Sequence, residues 1–199
     1  MEKEKIILAS SEEFMRLGIK SVSMDDISSK LGISKKTLYQ AVESKKDLVT
    51  KSIKSFLKLE RQLIKNISHT SNDAIHEMIQ IGHHRVITLR NMRPSVIHDL
   101  KKYYPNIWEL VKEFGDKEFG EVIIANINKG KNEGLYRPDI NPQIISKLFR
   151  VKSWSIVDET NFSIQDFRMD ELIREHLLYH LHGILSNKGK EHINKYELF

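Results

Sequence analysis

Lys35, Lys36, Thr37, Tyr39 and Gln40 set two ammonium groups, two hydroxyls and one amide within six positions. On a helix, at about 100° per residue, Lys36 and Gln40 stack one above the other opposite Leu38, with Thr37 and Tyr39 on either shoulder. This is a donor-rich ridge. A lysine ammonium can donate to guanine O6 and N7, and a glutamine amide can pair bidentately with adenine. Hydroxyls suit the phosphates on the groove walls. The chemistry these residues share is recognition of duplex nucleic acid. Paired lysines in isolation read as a solvated face, so the weight falls on the elements that hold them.

Those elements are legible in residues 21–42, SVSMDDISSKLGISKKTLYQAV. Ser23 caps a helix whose Met24, Ile27 and Leu31 share a stripe, and Asp26 sits where a capping box needs its acid. Gly32 supplies the backbone freedom that ends this helix. Ile33 plugs the angle, Ser34 caps the next helix, and Leu38, Ala41 and Val42 form its inward face. So short a turn between two helices, with a glycine in it, belongs to a helix-turn-helix. Lys35 and Lys36 lie in the first turn of one helix, and Lys45 and Lys46 in the first turn of the next, behind a cap at Ser44. Cations there oppose the helix dipole, and the placement becomes favourable once a phosphate docks on the free N–H groups and the lysines together.

With these residues in view, the N-terminal stretch resembles the DNA-binding domain of the TetR family of bacterial one-component transcriptional regulators. The matching pieces are IILASSEEFMRLGIKSVSMDDIS, with Phe14 and Gly18, then KLGISKKTLY, then SKKDL opening a connecting helix. The resemblance implies that Ser23, Thr37, Tyr39 and Lys45 touch phosphates and that Lys35, Lys36 and Gln40 face the major groove. Ser34 completes the expected contact surface as the cap of the reading helix. The sequence departs from the family's pattern at Val42, where Phe is more usual, and at Lys36, where a small residue is common. The first change keeps an apolar plug, and the second leaves base preference open. The family further implies a double-stranded, palindromic DNA operator, a small-molecule effector, and a homodimer formed through the last two long helices. Repression is its main mode.

Composition agrees with this reading. The 199 residues are 40% hydrophobic, enough for a packed core, and carry a net charge of +5. Residues 1–54 hold eleven Lys and Arg against eight Asp and Glu, so the first segment is the more basic per residue. Cysteine is absent, which excludes disulfides, thiolate catalysis and cysteine metal sites and fits a reducing compartment. No apolar run approaches the roughly 20 residues of a membrane span, and the N-terminus is unlike a secretion signal. A cytoplasmic protein without membrane attachment is expected. A Gly-rich phosphate loop, a GxSxG elbow and an HExxH pair are all missing, so catalysis is not expected and no cofactor is required.

The fold class expected is all-α: an N-terminal three-helix helix-turn-helix DNA-binding domain over residues 1–46, then a larger helical ligand-binding and dimerisation domain over 47–199. A long helix runs from Lys45 to about Ile67, and another spans about Ser71 to Met92. A short one lies before YYP. A helix from Pro105 to about Asn132 carries Gly115, Gly120 and Gly130, which weaken its continuity. EGLYRPDINP is a loop. Terminal helices follow over about Pro142 to Asp158 and Asp166 to Leu185, and the tail NKGKEHINKYELF reads equally as a frayed end or a docking helix. Polar anchors for an effector in a mainly apolar pocket are sought among His83, His84, His98, Tyr103, Tyr104, Trp108, Asn126 and Trp154. Each is also an ordinary core or interface residue. His176 and His180 lie one turn apart near His182, but lack an acidic partner at ligand spacing, so no metal is expected. His180 at an interface would make the dimer pH-sensitive.

Overall fold

The caps set the helix starts. In the computed structural model, which describes residues 3–158, 160–163 and 165–198, α1 spans Lys3–Leu17, α2 Met24–Lys30 and α3 Lys35–Ala41. The Ser23 side chain accepts from the Asp26 N–H and the Asp26 carboxylate accepts from Ser23 N–H, a complete capping box. Ser34 caps α3 by accepting from Thr37 N–H. Gly32 turns at φ +63 between α2 and α3, a region that L side chains avoid. Beyond them α4 covers Lys45–Thr70, with Ser44 Oγ accepting from Asp47 N–H at 3.1 Å. Then come α5 (Ala74–Arg90), α6 (Ser95–Tyr103), α7 (Pro105–Glu113), α8 (Phe119–Asn132), α9 (Pro142–Ile156), α10 (Met169–Ile184) and α11 (Asn187–His192). The architecture is all-α, and among the described residues Tyr136 and Leu185 form an isolated bridge. Among the described residues, no helix is long and apolar enough to cross a membrane.

By contact the chain forms two compact units, residues 1–63 with 91–112 and residues 64–90 with 113–199. The first has a core of Ile6, Phe14, Ile19, Val22, Ile27, Leu38, Val42, Leu48 and Val49, all 2% exposed or less. Burial of this kind contributes about 1.5–3 kcal/mol for each large side chain. Val42 is the apolar plug its position calls for. The unit also contains α6, whose Asp99 is buried and whose Oδ2 accepts from Lys20 N–H at 2.7 Å. Arg93 N–H donates to the Met15 carbonyl at 2.8 Å. Gly18, at φ +91, lets this approach happen, since a Cβ there would stand 2.7 Å from Ser95 Oγ.

In the second unit α10 packs on α5 and α9, and α8 on α5 and α9. The span expected as one helix from Pro105 is interrupted by a π-helical turn at Phe114–Glu118. A π turn frees a backbone carbonyl from the regular ladder, and here Arg150 Nη1 donates to the Asp116 carbonyl at 2.7 Å. Gly115 thus lies within a widened turn and Gly120 just after it, while Gly130 sits in the last turn of α8. The tail is a docking helix. Ser186 caps α11, Ile193 is 2% exposed, and Asp73 accepts hydrogen bonds from the Tyr196 hydroxyl and, at 2.8 Å, bonds with His192 Nε2. Phe199, the tail's apolar end, lies outside the described residues.

Candidate nucleic-acid interface and effector cleft

The root of α3 is fixed and its outer ridge is free. Leu38 and Val42 are buried to 0% and 2% exposure, whereas Lys36, Tyr39 and Gln40 are exposed on the side away from them. A rigid inner face gives the outer side chains a fixed register against a partner surface. Thr37 is half-buried, with its hydroxyl 2.9 Å from Ser34 Oγ. Ser23 gives its hydroxyl to Asp26 Oδ2 at 2.7 Å, and this bond with the Ser23 N–H holds the Asp26 carboxyl below its usual range.

The lysines differ from one another. Lys35 is already ion-paired, its Nζ on Asp25 Oδ1 across the α2–α3 turn, with both side chains largely exposed. An exposed pair of this kind is weak, so a phosphate can compete for the ammonium. Lys45 is half-buried and donates to the Lys20 carbonyl at 3.3 Å. Burial pulls its pKa below the usual lysine value, while the carboxylates of Asp99 and Asp26 act in the opposite direction. Its ammonium has further donors for a phosphate. Lys46 is exposed.

Three residues escaped the sequence reading: Asp25, Lys20 and Asp99. Lys20 reaches Tyr103, its Nζ donating to the hydroxyl at 3.1 Å, and this contact raises the lysine's pKa and lowers the tyrosine's. Asp99 lies 79 positions from the amide it receives, so no local pattern points to it.

The eight candidate pocket anchors divide between the two units. His98, Tyr103, Tyr104 and Trp108 belong to the first unit. There His98 meets Tyr103 edge to face, Tyr104 is half-buried with its pKa raised by burial, and Lys101 lies over the Trp108 ring. The other four belong to the second unit. Asn126 is buried and fully engaged, donating to the Ala74 carbonyl at 2.9 Å and accepting from the Tyr136 hydroxyl at 3.1 Å. Trp154 Nε1 donates to Asp116 Oδ1 at 3.2 Å, and His84 Nε2 is 3.3 Å from Thr88 Oγ1. His83 lines an open depression with Val86, Asp170 and Arg174.

A different set of residues forms a cleft inside the second unit. Its wall is apolar, made by Ile81, Leu89, Phe119, Phe149, Ile173 and Leu177, with Arg85, Ser153 and His176 at its polar side. The void, open mouth included, is about 400 Å³, of which about 30 Å³ admits a water-sized occupant. His176 Nε2 lies 3.0 Å from Ser153 Oγ, and its ring stacks on Phe149 at 4.6 Å. Burial, reinforced by the charge of Lys152, lowers its pKa to about 4. His180 packs on the same Phe149 at 4.5 Å, and burial lowers its pKa to about 3. Both imidazoles are therefore neutral near pH 7. His180, which the sequence reading sets at an interface, is buried within the single chain.

Comparison with known proteins follows the same division. The family described as bacterial regulatory proteins, tetR family, matches residues 6–51, which hold the helix-turn-helix. An uncharacterized HTH-type transcriptional regulator, YvaF of Bacillus subtilis, is 28% identical over 73% of this chain and 76% of its own length. The HTH-type transcriptional repressor KstR2 of Mycolicibacterium smegmatis is 19% identical, over 96% of this chain and 94% of its own. Among solved structures, a transcriptional regulator from Saccharomonospora viridis in complex with choline superposes with a TM-score of 0.75. It is 20% identical and covers 93% of this chain and 98% of its own. That likeness is one of fold.

Proposed function

We propose that this chain, whose residues 6–51 match the bacterial regulatory proteins of the tetR family, is a cytoplasmic, homodimeric repressor that leaves a palindromic operator when a small molecule binds its second unit. The protein is a DNA-binding regulator and not an enzyme. The observation that carries the reading is the α3 ridge of Lys36, Tyr39 and Gln40, exposed above a root that Leu38 and Val42 anchor. Lys36 and Gln40 reach base edges. Ser23, Ser34, Lys35, Thr37, Tyr39 and Lys45 hold the backbone, Lys35 after giving up Asp25.

Dimerisation is supported by apolar side chains left on the surface of the last two long helices. Ile144, Leu148 and Val151 follow one stripe of α9 at 55–58% exposure, and Tyr179 of α10 is 71% exposed. Such a stripe is costly in water and fits a self-complementary interface. Two α3 helices must enter the major groove about 34–36 Å apart, so a small change in their separation disfavours the bound state. Effector release then requires only that the ligand prefer the other arrangement. Its site is the cleft beside Arg85 and His176, whose mixture of apolar wall and few polar groups is that of a ligand pocket.

The test is fluorescence anisotropy of the full chain with duplex DNA from its own upstream intergenic region, against a scrambled duplex, at about 150 mM salt. A preference of about a thousandfold or more supports a sequence-specific regulator. Equal and weak binding of both duplexes contradicts it.

A further inference from the structure

We propose that the DNA-binding surface continues past the helix-turn-helix onto the end of α6, where Lys20, Lys102 and Tyr103 receive backbone phosphates that flank the half-site. The inference rests on the reading of Ser23 and Lys45 as backbone contacts and extends that surface to residues outside the motif.

Continuity within the first unit carries it. Lys45 Nζ donates to the Lys20 carbonyl at 3.3 Å, so the head of one proposed phosphate contact touches the loop that leads to the other, Ser23. The Lys20 side chain then reaches α6. Its Nζ donates to the Tyr103 hydroxyl at 3.1 Å and stands 5.1 Å from the centre of that ring. Lys102 Nζ stands 5.5 Å from the same centre. Two ammonium groups are thus gathered at one phenol, and all three side chains are exposed.

Charge decides the partner. Like charges brought together repel, and among the described residues neither Lys20 nor Lys102 forms an ion pair with a carboxylate. Asp99 attracts both Lys20 and Lys45, but it is buried and its Oδ2 is occupied by the Lys20 N–H. A cation in the last turn of α6 complements the helix dipole, which accounts for Lys102. It does not account for Lys20, which lies in the loop before α2. A phosphate accounts for both, since its oxygens take charge-assisted hydrogen bonds from the ammoniums and a further one from the hydroxyl. Each ammonium has three N–H donors, so Lys20 keeps Tyr103 while it binds. A duplex presents phosphates in a row, and the surface runs through Lys45, Lys20 and Lys102.

The test is anisotropy of the full-length wild type, Lys20→Gln, Lys102→Gln and Lys45→Gln across a salt series. The probes are a duplex from the chain's own upstream intergenic region and a scrambled duplex of equal length. Lys20→Gln and Lys102→Gln should each weaken binding of both duplexes by about fivefold at about 150 mM salt and lower the salt slope by about one unit. The preference between duplexes should stay unchanged. Lys20→Arg, which keeps the charge, should keep the wild-type slope. A loss of affinity with the slope unaltered would assign these lysines a structural role and overturn the proposal, as would wild-type affinity in both glutamine variants. A lower slope in Lys45→Gln alone would leave the helix-turn-helix contacts standing and contradict their extension. Equal binding of the two duplexes by wild type would contradict a sequence-specific regulator, while the slopes of the variants would still decide the phosphate contacts.

Discussion

Asp25 is the residue that most changes the picture of the reading head. Its carboxylate holds Lys35 at the surface, so part of the cationic ridge is neutralised before DNA arrives. Asp25→Asn should release that ammonium, tightening binding to all duplexes by up to about fivefold and steepening the salt dependence by about one unit. Anisotropy across a salt series measures both, and unchanged affinity would show that Lys35 contributes nothing. The buried imidazoles carry a different prediction. His176 and His180 have pKa values lowered to about 4 and about 3, while in the unfolded chain both return to about 6.5. Between those values the unfolded state binds more protons, so the stability they contribute is present above about pH 6.5 and is lost as pH falls towards 4. The slope should approach ~1.4 kcal/mol per pH unit for each ring. Melting curves of wild type and His180→Leu from pH 7 to 4.5 should diverge, the wild type losing more; parallel curves would contradict the burial. At this scale the caps were legible, because Ser23, Ser34 and Ser44 act within three residues of themselves. The Asp25–Lys35 pair was not, since it depends on how two helices cross.

The helices were legible for a related reason. Periodicity reports which face of an element is buried, and the stripes around Ile27 and Leu38 carry core residues. What periodicity does not report is which distant element covers the face. The π turn at Phe114–Glu118 is stabilised by Arg150 from another helix, and α11 docks because Asp73 meets His192 and Tyr196 across 119 and 123 positions. The same holds for α6, whose Asp99 fastens the loop before α2. Removing that carboxylate leaves the Lys20 N–H without its acceptor. Asp99→Ala should destabilise the first unit by about 1–3 kcal/mol, with faster amide exchange at Lys20. Denaturant titration with exchange measured residue by residue checks this, and an unprotected Lys20 amide already in the wild type would refute the clasp.

For the whole molecule, a division at residue 46 follows the DNA-binding motif, whereas the compact unit also gathers residues 91–112, a return of the chain that linear reading cannot see. The proposed effector cleft was the least legible part. Aromatic and histidine residues were natural candidates, yet Asn126 and Trp154 are spent on internal hydrogen bonds. The cleft in the second unit has Arg85, Ser153 and His176 on its polar side, of which only the histidine stands out in the sequence. The proposed dimer is testable at this scale. Leu148→Glu changes a side chain 55% exposed in the single chain, so it should leave the fold intact while weakening self-association by about tenfold or more, since it would bury an unpaired charge. Sedimentation velocity decides, and an unchanged dimer would move the interface elsewhere.

The central claim is that the outward ridge of α3 reads bases. It is tested most directly by measuring wild type and Gln40→Ala against an operator series in which each base pair is substituted in turn. The account predicts that the variant loses discrimination at one position in each half-site, by about 1–3 kcal/mol, and keeps the rest of the profile. A uniform loss across the series, with every base preference retained, would contradict it.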